Sequence, residues 1–336
     1  MKDFGIYNNK KIDLIEIENN NFILQATNYG ATIVSLYLKK KKIDVIQGFD
    51  NVDGYINDVP YMGGSIGRVC NRIGKGKFHL NNNDYFVSVN NGPNSLHGGN
   101  YGFDKQIWNY SIDNNKIVFT YLSKDKEEGY PGNLKVKVIY ELIDNGFIFE
   151  YEGTSDKDTL FSMTNHAFFN FNGPTSLSAL DHKIQTDAKY VAKVDSDGLT
   201  LDDIFDVKNT PFDFSQYKSL GKDIDNDYKQ LINGSGYDHH FLVDGDGFRK
   251  MVSCNANGII MDVYSDLPGF HLYSGNFLDG KAIGKQGGSF PRRSAVCFET
   301  QYYPNAINYD SQKKPILKAN EYMKHISKFI FEVEEN

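Results

Sequence analysis

The sequence predicts an all-β protein, one large antiparallel β-sandwich, and three observations support this prediction. Apolar and polar residues alternate with a period of two in several segments, most regularly over residues 134–142. The 31 glycines and the asparagine-rich connectors supply frequent turns between these segments. Helical periodicity is nearly absent, and no linker or internal repeat divides the chain. We therefore predict a single domain over residues 1–336.

The first half of the chain contains two predicted strand regions and one predicted hairpin. Residues 22–38 are rich in aliphatic and β-branched side chains, as expected of a buried strand region. Residues 78–80 and 85–89 flank the polar run 81–84. This pattern predicts a hairpin with its turn at the asparagines. Residues 116–122 are predicted to form a further strand.

The strongest prediction is a hairpin in the middle of the chain. Residues 134–142 alternate between apolar and polar side chains, and alternation resumes at Phe147. The intervening Asn145-Gly146 step tolerates the positive φ of a tight turn. One face of this hairpin should be solvated, because Lys135 and Lys137 share it.

Towards the C-terminus, residues 295–299 and 328–334 are predicted strands. Residues 202–205 and 225–232 could hold a turn or two of helix.

Charge and hydropathy exclude several classes of function. The net charge of -7 argues against a nucleic-acid surface, because phosphate binding requires clustered lysine and arginine. No apolar run approaches the roughly 20 residues of a membrane span, and residues 1–11 do not resemble a secretory signal. Three scattered cysteines without a paired motif indicate idle thiols in a reducing compartment. We expect a cytoplasmic protein that is a monomer or a homodimer.

Five segments place titratable side chains among glycines, asparagines and aromatic residues. They are GRVCNRI at 67–73, NSLHGG at 94–99, TNHAFFN at 164–170, GYDHH at 236–240 and ETQYYPN at 299–305. Taken singly, each titratable residue in them has an ordinary structural interpretation. His166 could be a hydrogen-bonded core histidine, and Glu299 could be an exposed residue at a strand end, because alternation does not fix its direction.

Other catalytic chemistries find little support in the residues. His97, His166, His239, His240, His271 and Glu299 would suffice for a metal centre, but no His-x-His or HExxH spacing is present. Adjacent His239 and His240 would point to opposite faces of a strand. No nucleophile elbow, P-loop or dinucleotide fingerprint is present either.

Together the segments closely resemble the aldose 1-epimerase (galactose mutarotase) family. The family patterns GRxANRI, NSLHGG, TNHxYFN, GYDH and ETQxxPDAxN have counterparts here in the family's order, at residues 67–73, 94–99, 164–170, 236–239 and 299–308. Single mismatches are Cys70 in place of alanine, Phe168 in place of tyrosine and Asn305 in place of aspartate. The resemblance implies the family's large β-sandwich, the galactose mutarotase-like supersandwich. It also implies interconversion of the α and β anomers of a free hexose, such as galactose or glucose, without metal or cofactor.

The resemblance also implies roles for seven residues. Glu299 corresponds to the general base that takes the proton of the anomeric hydroxyl, and His166 to the general acid that protonates the ring oxygen. His97 resembles the second histidine near that oxygen. The residues that resemble ligands of the sugar hydroxyls are Asn71, Arg72 and Asp238, with His271 at a position where the family usually has glutamine.

The expected chemistry needs a carboxylate that is ionised at neutral pH and a histidine that can present a proton near pH 7. From the residue types alone we expect neither group to need a large pKa shift, and we expect Asp238 or another acid to favour protonated His166. Three departures from the family pattern bear on substrate preference. They are Phe168 in place of tyrosine, His271 in place of glutamine, and an altered segment at residues 196–201.

Two rival functions remain open at this point. A hexose-6-phosphate 1-epimerase would need a cluster of cations, and Arg68, Arg72, Arg292 and Arg293 are available. A carbohydrate-binding protein without catalysis is possible on any such fold, although the presence of His166 and Glu299 argues against it.

Overall fold

The computed structural model describes residues 1–57 and 61–334, and β-strands dominate this part of the chain. The strands of the first half are β1 (Lys2–Tyr7), β2 (Lys10–Glu18), β3 (Phe22–Thr27), β4 (Thr32–Leu38), β5 (Ile43–Asp44), β6 (Ser65–Ile66), β7 (Arg72–Ile73), β8 (Lys77–Leu80), β9 (Asn83–Phe86), β10 (Ser95–Leu96), β11 (Asn109–Asp113), β12 (Lys116–Ser123), β13 (Leu134–Ile143), β14 (Gly146–Ser155), β15 (Thr159–Leu160) and β16 (Thr164–Asn165). Those of the second half are β17 (Lys183–Gln185), β18 (Tyr190–Val194), β19 (Thr200–Asp206), β20 (Lys218–Ser219), β21 (Asp238–Leu242), β22 (Arg249–Ala256), β23 (Ile259–Ser265), β24 (Gly269–Tyr273), β25 (Cys297–Gln301), β26 (Ile316–Leu317) and β27 (Tyr322–Val333).

Helices are short in the described ranges. The α-helices are α1 (Val52–Asn57) and α2 (Lys229–Gly234). Single 3₁₀ turns occur at Gly74–Gly76, Phe103–Lys105, Glu127–Gly129, Leu220–Lys222, Lys285–Gly287 and Ala306–Asn308. Within residues 1–57 and 61–334, no helix is long and apolar enough to cross a bilayer.

Three antiparallel sheets form the bulk of the sandwich. The largest has the order β11-β12-β13-β14-β27-β23-β22-β17-β20. The two others are β1-β2-β3-β4-β5 and β19-β18-β21-β24-β25. One cluster of buried apolar residues joins all three, with Leu24 from β3, Phe149 from β14 and Phe270 from β24. The prediction of an all-β sandwich is confirmed.

The central hairpin forms as predicted. Strands β13 and β14 pair without interruption from Ile143 opposite Gly146 to Leu134 opposite Ser155. The inward-facing side chains of β13 are buried, whereas Lys135 and Lys137 on the other face are exposed. Because side chains alternate across a strand, the hydrophobic period was sufficient to fix which face packs on the core.

The remaining predicted elements are confirmed with altered boundaries or corrected. Residues 22–38 form two strands, because the chain turns at Gly30 and Ala31, where φ is +69° and +44°. The predicted strands at 85–89, 295–299 and 328–334 are shifted or extended to β9, β25 and β27. A helix over 225–232 is confirmed only in its last residues, where α2 begins.

The helical turn considered for residues 202–205 is wrong. This segment belongs to β19, which pairs with β18 along the edge of its sheet. Backbone pairing with β18 outweighs the weak local preference of residues 202–205 for a helical turn. Its exposed Asp202 and Asp203 are typical of an edge strand that is protected from further pairing.

Candidate active site

A cavity of about 430 Å³ lies against the sheet that contains β21, β24 and β25. This volume suits a small organic ligand. The residues that line it are Tyr61, Asn71, Arg72, Asn91, Leu96, His97, His166, Phe168, Ser196, Asp197, Gly198, Asn233, Ser235, Asp238, His271, Tyr273, Phe277, Leu278 and Glu299. All seven residues singled out in the sequence are among them.

Strand register explains how three of these residues meet. His271 on β24 lies directly opposite Glu299 on β25, and Tyr273 lies opposite Asp238 on β21. Directly opposed residues share a face of an antiparallel sheet, and so do residues two apart on one strand. Asp238, His271 and Glu299 therefore project from the same face.

Glu299 and His166 form the most deeply buried titratable pair in the cavity wall. Glu299 is 2% exposed, and its Oε1 lies 3.6 Å from Nε2 of His166. The His166 ring stacks on Phe168 with ring centroids 4.9 Å apart. Glu299 Oε2 and His166 Nδ1 have no hydrogen-bond partner among the described residues. A buried pair with unpartnered polar atoms is suited to exchanging protons with a polar ligand.

Burial strongly shifts the pKa values of Glu299 and His166. Removal from water raises the pKa of Glu299 well above its ordinary value, and the Asp238 charge adds to the shift. Burial lowers the pKa of His166 to about 4, and the attraction of Asp238 for the imidazolium opposes this shift without reversing it. The expectation that neither group needs a large pKa shift is therefore wrong. The expectation that Asp238 favours protonated His166 is confirmed in direction, because its charge raises the pKa of His166, although burial has the larger effect. Residue type gave the reference pKa, whereas burial is a property of the tertiary structure.

His97 is held as a neutral donor. Its Nδ1 accepts the backbone N–H of Asn71 at 3.1 Å, so the ring proton must sit on Nε2. Burial lowers the pKa of His97 well below its ordinary value, with the charges of His166 and Arg72 acting in the same direction. Its φ of +53° and the following Gly98 at +88° produce the sharp bend expected of His-Gly-Gly.

A metal centre was one alternative for these histidines. Within the described residues, His97, His166 and Glu299 bring one potential ligand atom each within 4.8 Å of the others. However, the Asn71 N–H occupies the lone pair of His97 Nδ1, and the proton blocks Nε2. This donor set does not fit a divalent cation bound through all three residues.

Among the described residues, Arg72 is the one arginine or lysine that lines the cavity. Its Nε donates to Asn91 Oδ1 at 2.9 Å, which leaves the two terminal amino groups for a ligand. Gly198 covers the guanidinium so closely that an added Cβ would lie 2.9 Å from Cζ. The altered segment at residues 196–201 therefore contacts the sugar-binding candidates directly.

Asn71, His271 and Asp238 form a hydrogen-bonded chain. The Asn71 amide lies 3.3 Å from His271 Nδ1, and His271 Nε2 lies 2.7 Å from Asp238 Oδ1. Burial raises the pKa of Asp238, but the His271 hydrogen bond and nearby positive charges outweigh it, so that the net pKa falls below its ordinary value. The structure thus presents Asp238 as an ionised carboxylate beside Arg72.

The other arginines are absent from the cavity lining. Arg68 is 1% exposed, and its guanidinium donates to backbone and hydroxyl oxygens, including the carbonyls of Pro131 and Gly132. Arg293 pairs with Asp225 at 2.7 Å, and Arg292 donates to the Ser235 carbonyl. The four available arginines therefore do not form the cation cluster that a phosphate site would need at this cavity.

Sequence reasoning missed much of the cavity wall. Tyr61, Asn91, Tyr273 and Phe277 were not singled out, although each lines the cavity. The only sequence signal for Asn91 was its place in the asparagine run before the NSLHGG segment. Isolated aromatic residues in a chain with 22 tyrosines and 24 phenylalanines gave no signal at all.

Comparison with known proteins places this chain in a family. The model of the aldose 1-epimerase family matches residues 13–329, which is most of the chain. The chain belongs to the aldose 1-epimerase family. Galactose mutarotase from Bos taurus is 36% identical over 328 residues, covering 96% of this chain and 94% of the relative. Aldose 1-epimerase from Haemophilus influenzae is 32% identical over 305 residues, covering 88% of each chain.

Solved structures of aldose 1-epimerase relatives share the fold. A galactose 1-epimerase from Lactobacillus acidophilus superimposes with a TM-score of 0.87 at 28% identity, covering 99% of this chain and 98% of the other. An aldose epimerase homologue from C. elegans gives a TM-score of 0.88 at 27% identity, with 96% and 99% covered. The resemblance stated from the motifs and the fold that it implied are confirmed.

Proposed function

We propose that this chain is an aldose 1-epimerase that interconverts the α and β anomers of free hexoses. The observation that carries the proposal is the pair of Glu299 and His166, buried 3.6 Å apart in the wall of a sugar-sized cavity. Each has one polar atom without a partner in the described residues. The relatives named galactose mutarotase and aldose 1-epimerase support hexoses as the substrate class.

The reaction requires two proton transfers and no redox step. The Glu299 carboxylate takes the proton of O1, the C1–O5 bond breaks as C1=O1 forms, and imidazolium His166 gives its proton to O5. Rotation about C1–C2 presents the other face of the carbonyl. The reverse transfers then close the ring, so both groups return to their starting states.

Burial assists these transfers. The raised pKa of Glu299 makes its carboxylate a stronger base, and the lowered pKa of His166 makes its imidazolium a stronger acid. After ring opening the proton lies on Glu299 and His166 is neutral, which is the arrangement that burial favours. The pair keeps one proton throughout the cycle, so no proton needs to enter from solvent.

The remaining predicted residues bind and orient the sugar in this proposal. His97 donates its Nε2–H towards the ring oxygen, because its Nδ1 accepts from Asn71 and Nε2 therefore carries the proton. Arg72 supplies parallel donors for two neighbouring hydroxyls, and ionised Asp238 accepts from another. Asn71 has one amide oxygen and one amide hydrogen engaged within the protein, so only its second N–H remains for the sugar.

Free hexoses suit the cavity better than hexose 6-phosphates. A phosphate of about two negative charges would face Arg72 without a second lining arginine or lysine among the described residues, and Asp197 and Asp238 would repel it. A role limited to binding is disfavoured, because a buried acid–base pair is not needed to hold a sugar.

We also propose a cytoplasmic protein that is a monomer or a homodimer. The three cysteines are free and buried, which is compatible with a reducing compartment. Sedimentation velocity at micromolar concentration would determine the oligomeric state.

Polarimetry tests the proposed function. Freshly dissolved α-D-galactose and α-D-glucose should approach equilibrium rotation faster with the protein, and the faster sugar identifies the preferred substrate. Glucose 6-phosphate should be a poor substrate. Rates that match the uncatalysed reaction for both free sugars would contradict the proposal.

A further inference from the structure

His271 sits at the centre of the sugar-binding wall, yet it has no free hydrogen-bonding atom. Its side chain is 3% exposed, and β21 and β25 flank it on either side. One ring nitrogen contacts Asp238 and the other contacts Asn71. A sugar hydroxyl could not bond to either nitrogen without displacing one of these partners. Direct ligation of the sugar, the role that the resemblance implied, is therefore at odds with the geometry.

The surrounding hydrogen bonds fix the ring proton. The side-chain oxygen of Asn71 accepts the Arg72 backbone N–H at 2.8 Å, so the amide nitrogen of Asn71 must face His271. The backbone N–H of Asn71 is directed to His97, which prevents the residue from turning freely. Because an amide nitrogen only donates, His271 Nδ1 must accept, and Nε2 must carry the proton that is donated to Asp238.

We infer that His271 is a positioning residue, which holds one oxygen of Asp238 so that the other oxygen of the carboxylate points to a sugar hydroxyl. The inference rests on the proposed function for the identity of the sugar. In this role His271 acts as an acceptor towards Asn71 and as a donor towards Asp238. Glutamine can supply the same acceptor and the same donor, through the carbonyl oxygen and the NH₂ group of its side chain. A glutamine at this position should therefore replace the histidine, whereas an apolar residue should not.

The charge environment of Asp238 makes the role measurable. The charged and titratable groups that face it are Arg72 from β7, His239 from its own strand, His271 and Tyr273 from β24, Cys297 and Glu299 from β25, and His166 after β16. Burial raises the pKa of Asp238, and the hydrogen bond from His271 is the largest effect that lowers it. Without that bond Asp238 should take up a proton at higher pH, and a protonated Asp238 is a weaker acceptor.

The test uses a 1-deoxy hexose, which has no anomeric hydroxyl and cannot react. Calorimetry gives its Kd with the wild type, His271→Leu and His271→Gln between about pH 5 and 7.5. We expect His271→Leu to weaken binding about tenfold at pH 7, the effect of misdirecting one charge-assisted hydrogen bond. The loss relative to the wild type should deepen towards pH 5. His271→Gln should stay within about threefold of the wild type.

His240 supplies the matched control. It lies opposite His271 on β21, it is fully buried, and neither ring nitrogen has a partner among the described residues. His240→Leu should leave the Kd and its pH dependence unchanged. If His271→Leu fails to fold, His271→Met carries the test, because methionine fills a similar space and its thioether cannot donate a hydrogen bond to Asp238. That variant should also weaken binding.

The outcomes separate this inference from the proposed function. Equal binding by His271→Leu and the wild type, or equal losses in His271→Leu and His271→Gln, would overturn the positioning role. The second result would mean that the imidazole itself is required. Polarimetry of the wild type decides the proposed function independently, because the 1-deoxy hexose reports binding alone. With free hexose, the positioning role also requires that His271→Leu raise KM more than it lowers kcat.

Discussion

Replacement of Glu299 by glutamine should abolish catalysis and at the same time stabilise the protein. Glutamine has nearly the same shape, so the packing around this 2% exposed side chain is retained. Its amide cannot take the proton of O1. Loss of a positioned base typically lowers kcat by about 10² to 10⁴, which is roughly 3–5 kcal/mol of barrier. KM should change little, because the proposed hydroxyl ligands remain.

The stability effect follows from the raised pKa of Glu299. Folded Glu299 binds its proton more tightly than the unfolded chain does, so the folded state loses stability as pH rises above about 4.5, the ordinary value. The loss continues up to the raised pKa. Glutamine has no such titration. The variant should therefore exceed the wild type in free energy of unfolding at neutral pH, and the difference should shrink towards pH 4.5.

The assay combines polarimetry of α-D-galactose with urea unfolding at several pH values between about 4.5 and 7.5. Glu18→Gln is the matched control, because Glu18 is 62% exposed in a surface pair with Lys39 and should affect neither measurement. Activity of Glu299→Gln within threefold of the wild type would refute the base assignment. A stability difference that does not vary with pH would refute the argument from burial.

Three further predictions test other parts of the structure. Arg72→Lys should raise KM about tenfold with kcat nearly unchanged, because lysine cannot form the bidentate fork; steady-state kinetics that show the reverse split would place Arg72 in the chemical step. On the acid side, kcat/KM should be flat through pH 6.5 and fall only near pH 4, where His166 takes up a proton while Glu299 is still protonated and cannot act as a base; an acid limb centred near 6.5 would contradict this. Arg68→Met should lower the free energy of unfolding by about 3–5 kcal/mol, because several buried oxygens such as the Pro131 carbonyl lose their donor; urea unfolding within 1 kcal/mol of the wild type would contradict the structural role.

The fold could be predicted from the sequence where the signal is local. The alternation over residues 134–142 and the Asn-Gly step fixed a hairpin, its turn and its buried face. Strand ends were less accurate, since β25 and β27 are set by pairing with strands that are distant in the chain. Residues 202–205 were misjudged for the same reason, because β18 supplies the pairing that makes them a strand.

The candidate site was predictable in its members. The motif segments named Glu299, His166, Arg72 and their neighbours because their order and spacing match a family, and that match does not depend on three-dimensional coordinates. The aromatic wall could not be found in this way. Tyr273 and Phe277 resemble dozens of core aromatic residues until the chain folds and places them at the cavity.

By itself the sequence determined the β architecture, the family and the residues available for chemistry. Only the tertiary structure decided their chemical states. Burial, which depends on all surrounding atoms, moves the pKa values of Glu299 and His166 in opposite directions. The tautomers of His97 and His271 are set by Asn71, whose side-chain amide is oriented by the backbone N–H of Arg72. Residue type fixes which protons a side chain can carry, whereas solvent exclusion and hydrogen-bond partners fix which ones it does carry.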